Sequence, residues 1–232
     1  MTSYGFQQSQ IDHTLFYKYS KDGKVEILIV YVDEIILTDD DIDELERLKK
    51  RLAKDFEIKD LGMLKYFLGK EFARSKKGIF VNQRKYVLDL LGETGLLGCK
   101  VAETPIEPNL KLHTAKPKDV KNIEQYQRLV GRLIYLSPTR LDIAFAVSMV
   151  SQFMHSPGPK HFDVVYRILR YLKRTPGRGL LFRKCGHLQV EVYTDVINIM
   201  DKKSTQVIVP LLEVGICEVM WIKMIDEELK IP

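Results

Sequence analysis

Fourteen consecutive positions decide most of what this chain can become. Val25-Glu26-Ile27-Leu28-Ile29-Val30-Tyr31-Val32 is a β-branched run, Asp33-Glu34 interrupts it, and Ile35-Ile36-Leu37-Thr38 resumes it. β-Branched side chains are stiff at χ1 and suit a pleated, buried strand. Two such runs split by a polar pair predict a hairpin with both carboxylates at its tip. Charge set between apolar strands is costly unless something pairs with it. Spacing alone leaves two readings open. The pair can hold Mg²⁺ as hard oxygen ligands, or it can form a polar turn on a surface edge.

An amphipathic helix is expected next, over about 40–56. Ile42, Leu45, Leu48, Leu52 and Phe56 form its apolar stripe, and Asp43/Arg47 and Glu46/Lys50 are i,i+4 pairs on its wet side. Residues 64–74 and 78–81 read as strands joined by the Ser75-Lys76-Lys77-Gly78 turn, and Asn82 is placed to cap a following helix. Residues 101–121 carry Pro105, Pro108 and Pro117 with few apolar side chains, which predicts a linker or long loop. Helices are expected over 126–136, 142–154 and 161–174, punctuated by Pro138, by Pro157 and Pro159, and by Pro176-Gly177. Short strands at 180–183 and 188–193 follow, and residues 213–229 fit one more helix.

The chain has 232 residues and is 45% hydrophobic, enough for one large domain or two small ones and too apolar for a disordered chain. Its net charge is +5. Residues 160–184 hold eight Lys/Arg and one Asp, a net of +7, so the rest of the chain sums to −2. Within that stretch Arg167, Arg170 and Arg174 fall at i, i+3 and i+7 on one helical face, with Lys173 beside them and Arg178 just beyond. Phe162, Val165, Leu169 and Leu172 supply the buried stripe. Guanidinium groups in a row suit phosphate oxygens; a solvated helix face is the equally simple alternative. Cys99, Cys185 and Cys217 are odd in number and widely spaced, which fits neither a disulfide framework nor a zinc site and points to a reducing compartment. Met1–Gln10 has no apolar signal region and no run reaches membrane-spanning length, so an intracellular chain is expected. The five histidines show no ligand spacing, and no glycine-rich phosphate loop occurs.

Tyr31-Val32-Asp33-Glu34-Ile35-Ile36-Leu37-Thr38 resembles the Tyr-Val-Asp-Asp hairpin of copia-type retrotransposon reverse transcriptases, with Glu in place of the second Asp. Asp12-His13-Thr14-Leu15-Phe16 is similar to the family's segment upstream of that hairpin. Leu61-Gly62-Met63-Leu64-Lys65-Tyr66-Phe67-Leu68-Gly69-Lys70-Glu71 is similar to the block after it, and Gly78-Ile79-Phe80 and Gln83-Arg84-Lys85-Tyr86 continue in order. Blocks 126–136 and 166–173 resemble the family's connecting region. Val190-Glu191-Val192-Tyr193-Thr194-Asp195 resembles the strand that opens its ribonuclease H domain.

The resemblance implies an α+β chain: a partial reverse-transcriptase palm over 1–80, a helical thumb or connection region over 81–178, and a truncated ribonuclease H-like segment over 179–232. Asp33 and Glu34 would be a degenerate pair of polymerase metal ligands, and Asp195 the first ligand of the ribonuclease H remnant. Mg²⁺ is the family's cofactor and is not expected to be functionally bound here. The family takes another catalytic Asp from an upstream strand that this chain is expected to lack, so the chain by itself is expected to be inactive. An active enzyme assembled with a separately supplied upstream half is a further alternative. The partner implied for Arg167, Arg170, Lys173, Arg174 and Arg178 is an RNA/DNA template–primer duplex, contacted without regard to sequence.

Overall fold

The computed structural model describes residues 1–20, 23–38, 41–115, 120 and 122–183. Asp195, the strand expected over 188–193 and the helix expected over 213–229 lie outside these residues. The described chain divides into two compact units, Met1–Leu64 and the residues from Lys65 onward.

In the first unit four strands form an antiparallel sheet in chain order: β1 (Gln7–Gln8), β2 (Leu15–Tyr19), β3 (Val25–Tyr31) and β4 (Glu34–Thr38). The register sets Leu15 opposite Ile29 and Ile29 opposite Ile36. The alternation of side chains sorts the run onto both faces. Phe16, Leu28, Val30, Ile35 and Leu37 gather with Leu48 and Leu52 of helix α1 (Ile42–Asp55), while Leu15, Tyr17, Val25, Ile27 and Ile29 cluster on the other side. That is why the sequence shows a near-continuous apolar run rather than an alternating one. Glu26 is buried beside Leu28 and is paired across the strands with Lys18 at 3.0 Å.

Helix α1 starts where its acidic sequence predicts. The Asp41 carboxylate accepts from the Asp43 and Glu44 amides, and these bonds hold its pKa below the ordinary value. The buried stripe is narrower than expected. Leu48 and Leu52 are buried, whereas Ile42 is 75% and Phe56 46% exposed, so the helix packs along its middle turns only. The surface ion pairs are also i,i+3, Glu44–Arg47 and Glu46–Lys49, rather than the i,i+4 pairs anticipated. Lys49 reaches Asp60 as well, at 3.2 Å, and bridging two acids fixes its direction.

The second unit carries another antiparallel sheet, β5 (Tyr66–Phe67), β6 (Lys70–Ser75), β7 (Gly78–Asn82) and β8 (Gly179–Arg183), again in that order. The single strand expected over 64–74 is broken at Leu68-Gly69, whose φ values of 46° and 68° make a two-residue hairpin turn. The Leu68 carbonyl accepts from the Tyr135 hydroxyl. Strand β8 pairs with β7 from about a hundred residues away, Gly179 opposite Asn82. A Cβ on Gly179 would overlap the Val81 carbonyl oxygen, so the strands approach this closely only with glycine there.

Helices α2 (Arg84–Glu93), α3 (Ile123–Leu136), α4 (Leu141–Ser151) and α5 (Pro159–Arg174) share one core. Asn82 Oδ1 accepts from the Arg84 amide at 2.9 Å, so the expected cap operates at the start of α2. Leu90, Leu133, Ile143, Val165, Ile168 and Leu169 are all essentially inaccessible, each worth about 1.5–3 kcal/mol of transfer free energy. The buried Tyr126 hydroxyl donates to the Val150 carbonyl at 2.8 Å, and burial raises its pKa. Residues 96–115 form no helix or strand, yet Ala102, Ile106, Leu110 and Leu112 pack onto the helical core.

Arg140, 1% exposed, ties the α3–α4 turn to the end of α5. Its Nε and Nη2 meet the two Asp142 carboxylate oxygens at 2.9 and 3.0 Å, and its remaining bonds go to Thr175. The Tyr171 hydroxyl also donates to Asp142, at 2.8 Å. Burial alone would raise the Asp142 pKa, but the bonds from Arg140, Tyr171 and Arg178 win and lower it to about 2.

Candidate functional site

The β3–β4 hairpin is as tight as a hairpin can be. Tyr31 pairs directly with Glu34, leaving Val32 and Asp33 as the two turn residues. The first position of such a turn takes positive φ and favours glycine. Here it is Val32, at φ 51° and 89% exposed. A β-branched residue in the left-handed region is strained, by roughly 1–3 kcal/mol. The strain sets Asp33 at the tip and Glu34 beside it as the first residue of β4. Both carboxylates therefore stand at the tip anticipated from sequence, but towards solvent rather than sealed between strands: Asp33 is exposed and Glu34 half-buried. Among the described residues no ion pair involves either one, and no group of three or more His, Cys, Asp or Glu is placed to hold a metal. Sequence spacing located the hairpin; nothing in it signalled the Val32 backbone.

The second candidate is the basic end of α5. Its apolar residues Val165, Leu169 and Leu172 are buried as expected, Phe162 is half-buried, and Val164, Ile168 and Tyr171 join them. The basic residues are not equivalent. Arg167 gives Nη1 to Glu107 Oε1 at 2.8 Å and Nη2 to Thr104 Oγ1 at 3.1 Å. The Lys173 ammonium donates to the Cys99 carbonyl, and the Arg170 carbonyl accepts from the Ala102 amide at 3.3 Å. Arg178 turns to Asp142 Oδ2 at 3.0 Å and to the Tyr171 hydroxyl at 2.9 Å, within the Arg140 network. Arg174, in the last turn, is exposed. Arg167, Arg170, Lys173 and Arg174 thus share α5, while Arg178 serves a different cluster.

His161 sits at the other end of α5 and had no signal in its spacing. It is 2% exposed, stacks on Phe153 at 4.1 Å between centroids, and its Nδ1 accepts from the Gly158 amide at 2.7 Å. Burial lowers its pKa. This neutral histidine caps the helix. Among the described residues no helix is long and apolar enough to cross a membrane.

Residues 1–108 match the reverse transcriptase (RNA-dependent DNA polymerase) family. The chain is 38% identical over 191 residues to the retrovirus-related Pol polyprotein from transposon RE1 of Arabidopsis thaliana, a match covering 82% of this chain and 13% of the polyprotein. It is 39% identical over 170 residues to an uncharacterized mitochondrial protein of the same plant, covering 72% of this chain and 70% of that protein. The Pol polyprotein from transposon TNT 1-94 of Nicotiana tabacum is 32% identical over 191 residues, covering 78% of this chain and 14% of the polyprotein. The chain therefore spans only a small part of the polyproteins it matches. No solved structure matches it.

Proposed function

We propose, for a chain that belongs to the reverse transcriptase family of retrotransposon Pol proteins, that it is a relic of an RNA-directed DNA polymerase whose polymerase hairpin no longer supports synthesis. The observation that carries this reading is the strained turn that presents Asp33 at its tip with Glu34, not a second Asp, beside it. By the family resemblance, Asp33 and Glu34 would hold Mg²⁺, a cation that suits hard oxygen ligands. Two carboxylates alone do not make the two-metal centre that in-line phosphoryl transfer uses. Glu carries its carboxylate one methylene further out, a displacement large beside the roughly 0.5 Å tolerance of a working site. The same resemblance makes Asp195 the first ligand of a shortened ribonuclease H-like segment without nuclease activity.

The test is primer extension on an RNA template by the 232-residue chain, with Mg²⁺ or Mn²⁺, beside Asp33→Ala. No incorporation by a folded chain is expected. Incorporation that disappears in Asp33→Ala would overturn the relic reading.

A second reading rests on the cationic side chains crowded onto the C-terminal half of α5: a sequence-indifferent nucleic-acid-binding module. Arg174 is the residue best placed to meet a phosphate, with Arg167, Arg170 and Lys173 on neighbouring turns. Binding of this kind weakens steeply with salt because each neutralised phosphate releases counterions. Duplex affinity independent of salt would contradict it.

A further inference from the structure

We propose that residues 99–110 form a strap that screens the basic face of α5 from polyanions, with Glu107 occupying the place on Arg167 that a nucleic-acid phosphate would take. The inference rests on the binding reading above and adds its regulation.

Three observations place the strap. Its contacts fall on successive turns of one helix: Thr104 and Glu107 on Arg167, the Ala102 amide on the Arg170 carbonyl, and the Cys99 carbonyl on Lys173. The side chains of two of the four basic residues of this face, Arg167 and Lys173, are thereby bonded, Arg170 is met at its main chain, and Arg174 lies past the end of the strap and is exposed. The backbone at Glu107 is also set rigidly. Glu107 opens a β-turn in which Pro108 holds the second position, Asn109 takes the third at φ 61°, and the Leu110 amide returns to the Glu107 carbonyl at 3.4 Å. Proline second and a left-handed Asn third are the residues such a turn favours. Ile106 and Leu110, flanking Glu107, are anchored in the core. The backbone that carries the carboxylate is therefore held in place beside Arg167.

The third observation is that the strap satisfies the guanidinium groups incompletely. The Nε atoms of both Arg167 and Arg170 are shielded and have no hydrogen-bond partner among the described residues. A carboxylate and a hydroxyl on Arg167 use one hydrogen each of Nη1 and Nη2, and the remaining Nη hydrogens suit the two non-bridging oxygens of a phosphodiester. The Glu107 side chain is 59% exposed and that of Arg167 25%, so the ion pair is accessible to a competitor and weak enough to be exchanged.

The experiment is fluorescence anisotropy with a labelled RNA–DNA hybrid duplex, titrated with the full chain at several salt concentrations. Glu107→Gln is compared with wild type, with Glu103→Gln and with Arg174→Ala, all checked by far-UV circular dichroism. Glu103 is an exposed acid in the same strap with no contact to Arg167 among the described residues, so it reproduces the change in net charge alone. Release of one exposed ion pair predicts Kd about two- to fivefold lower for Glu107→Gln. The log–log salt slope should steepen by about 0.9, and Glu103→Gln should fall short on both counts. Binding by Glu107→Gln where wild type shows none would support the strap equally. Equal effects of the two glutamine variants, or no effect, in a chain whose binding Arg174→Ala weakens, would overturn the strap and leave the binding reading. No binding by any variant would overturn both.

Discussion

Replacing Asp142 by Asn should destabilise the helical unit by about 3 kcal/mol. Arg140 is 1% exposed and meets both Asp142 oxygens, whose side chain is 20% exposed. The carboxylate pKa falls from 3.8 to about 2. That difference corresponds to about 2.4 kcal/mol favouring the ionised form in the folded chain. An Asn amide also turns one acceptor into a donor facing a donor, leaving part of a buried guanidinium unpaired, which adds to the loss. Because the folded pKa is the depressed one, this stabilisation is complete above the unfolded value near 4 and is lost as pH falls towards 2. About half should be gone at pH 3. Urea unfolding followed by circular dichroism at 222 nm, at pH 7 and pH 3, reads both effects. The gap between wild type and Asp142→Asn should narrow by about 1 kcal/mol at pH 3. A gap under 0.5 kcal/mol at pH 7, or one unchanged at pH 3, would refute the assignment of Asp142 as the counter-ion that stabilises buried Arg140.

Three further outcomes follow from the packing. Val32→Gly relieves a left-handed β-branched residue and should gain about 1 kcal/mol, seen as about fivefold slower hydrogen exchange in β3 and β4; faster exchange would show that Val32 is not strained. Gly179→Ala forces β8 away from the Val81 carbonyl and should cost about 1–3 kcal/mol in urea unfolding, with an unchanged midpoint counting against that close approach. The lowered His161 pKa means its contribution is full above the 6.5 of an unfolded histidine and declines as pH falls below it. The melting temperature should therefore drop between pH 7.5 and 5.5 in wild type and hold steady in His161→Gln, whose amide oxygen can accept from Gly158 without titrating; parallel curves would remove the histidine from that role.

The helices and the hairpin were legible because their signals are local. Leu48 and Leu52 in α1, the apolar positions of α5 and the split β-branched run each announce an element through a period of 3.6 or 2. The same locality misjudged Ile42 and Phe56, since periodicity gives a face but not how much of it finds a partner. Asp33 and Glu34 were found from sequence as a pair, and their place on either side of the turn's end came only with the register of Tyr31 on Glu34.

By itself, the sequence determined the succession of elements, the hairpin bearing Asp33 and Glu34, and the concentration of basic residues near α5. Tertiary structure alone decided which of those bases face solvent. The proline-rich residues 101–115 read as a tether because their apolar side chains follow no period, yet they lie across α5 and hold Arg167. Likewise the pairing of Gly179–Arg183 with β7, and the burial of Arg140 against Asp142 and Thr175, join residues that no short-range pattern relates. Charge and hydrophobicity fix what a segment can bury or bind. The chain's return path through the core fixes which of those possibilities is used.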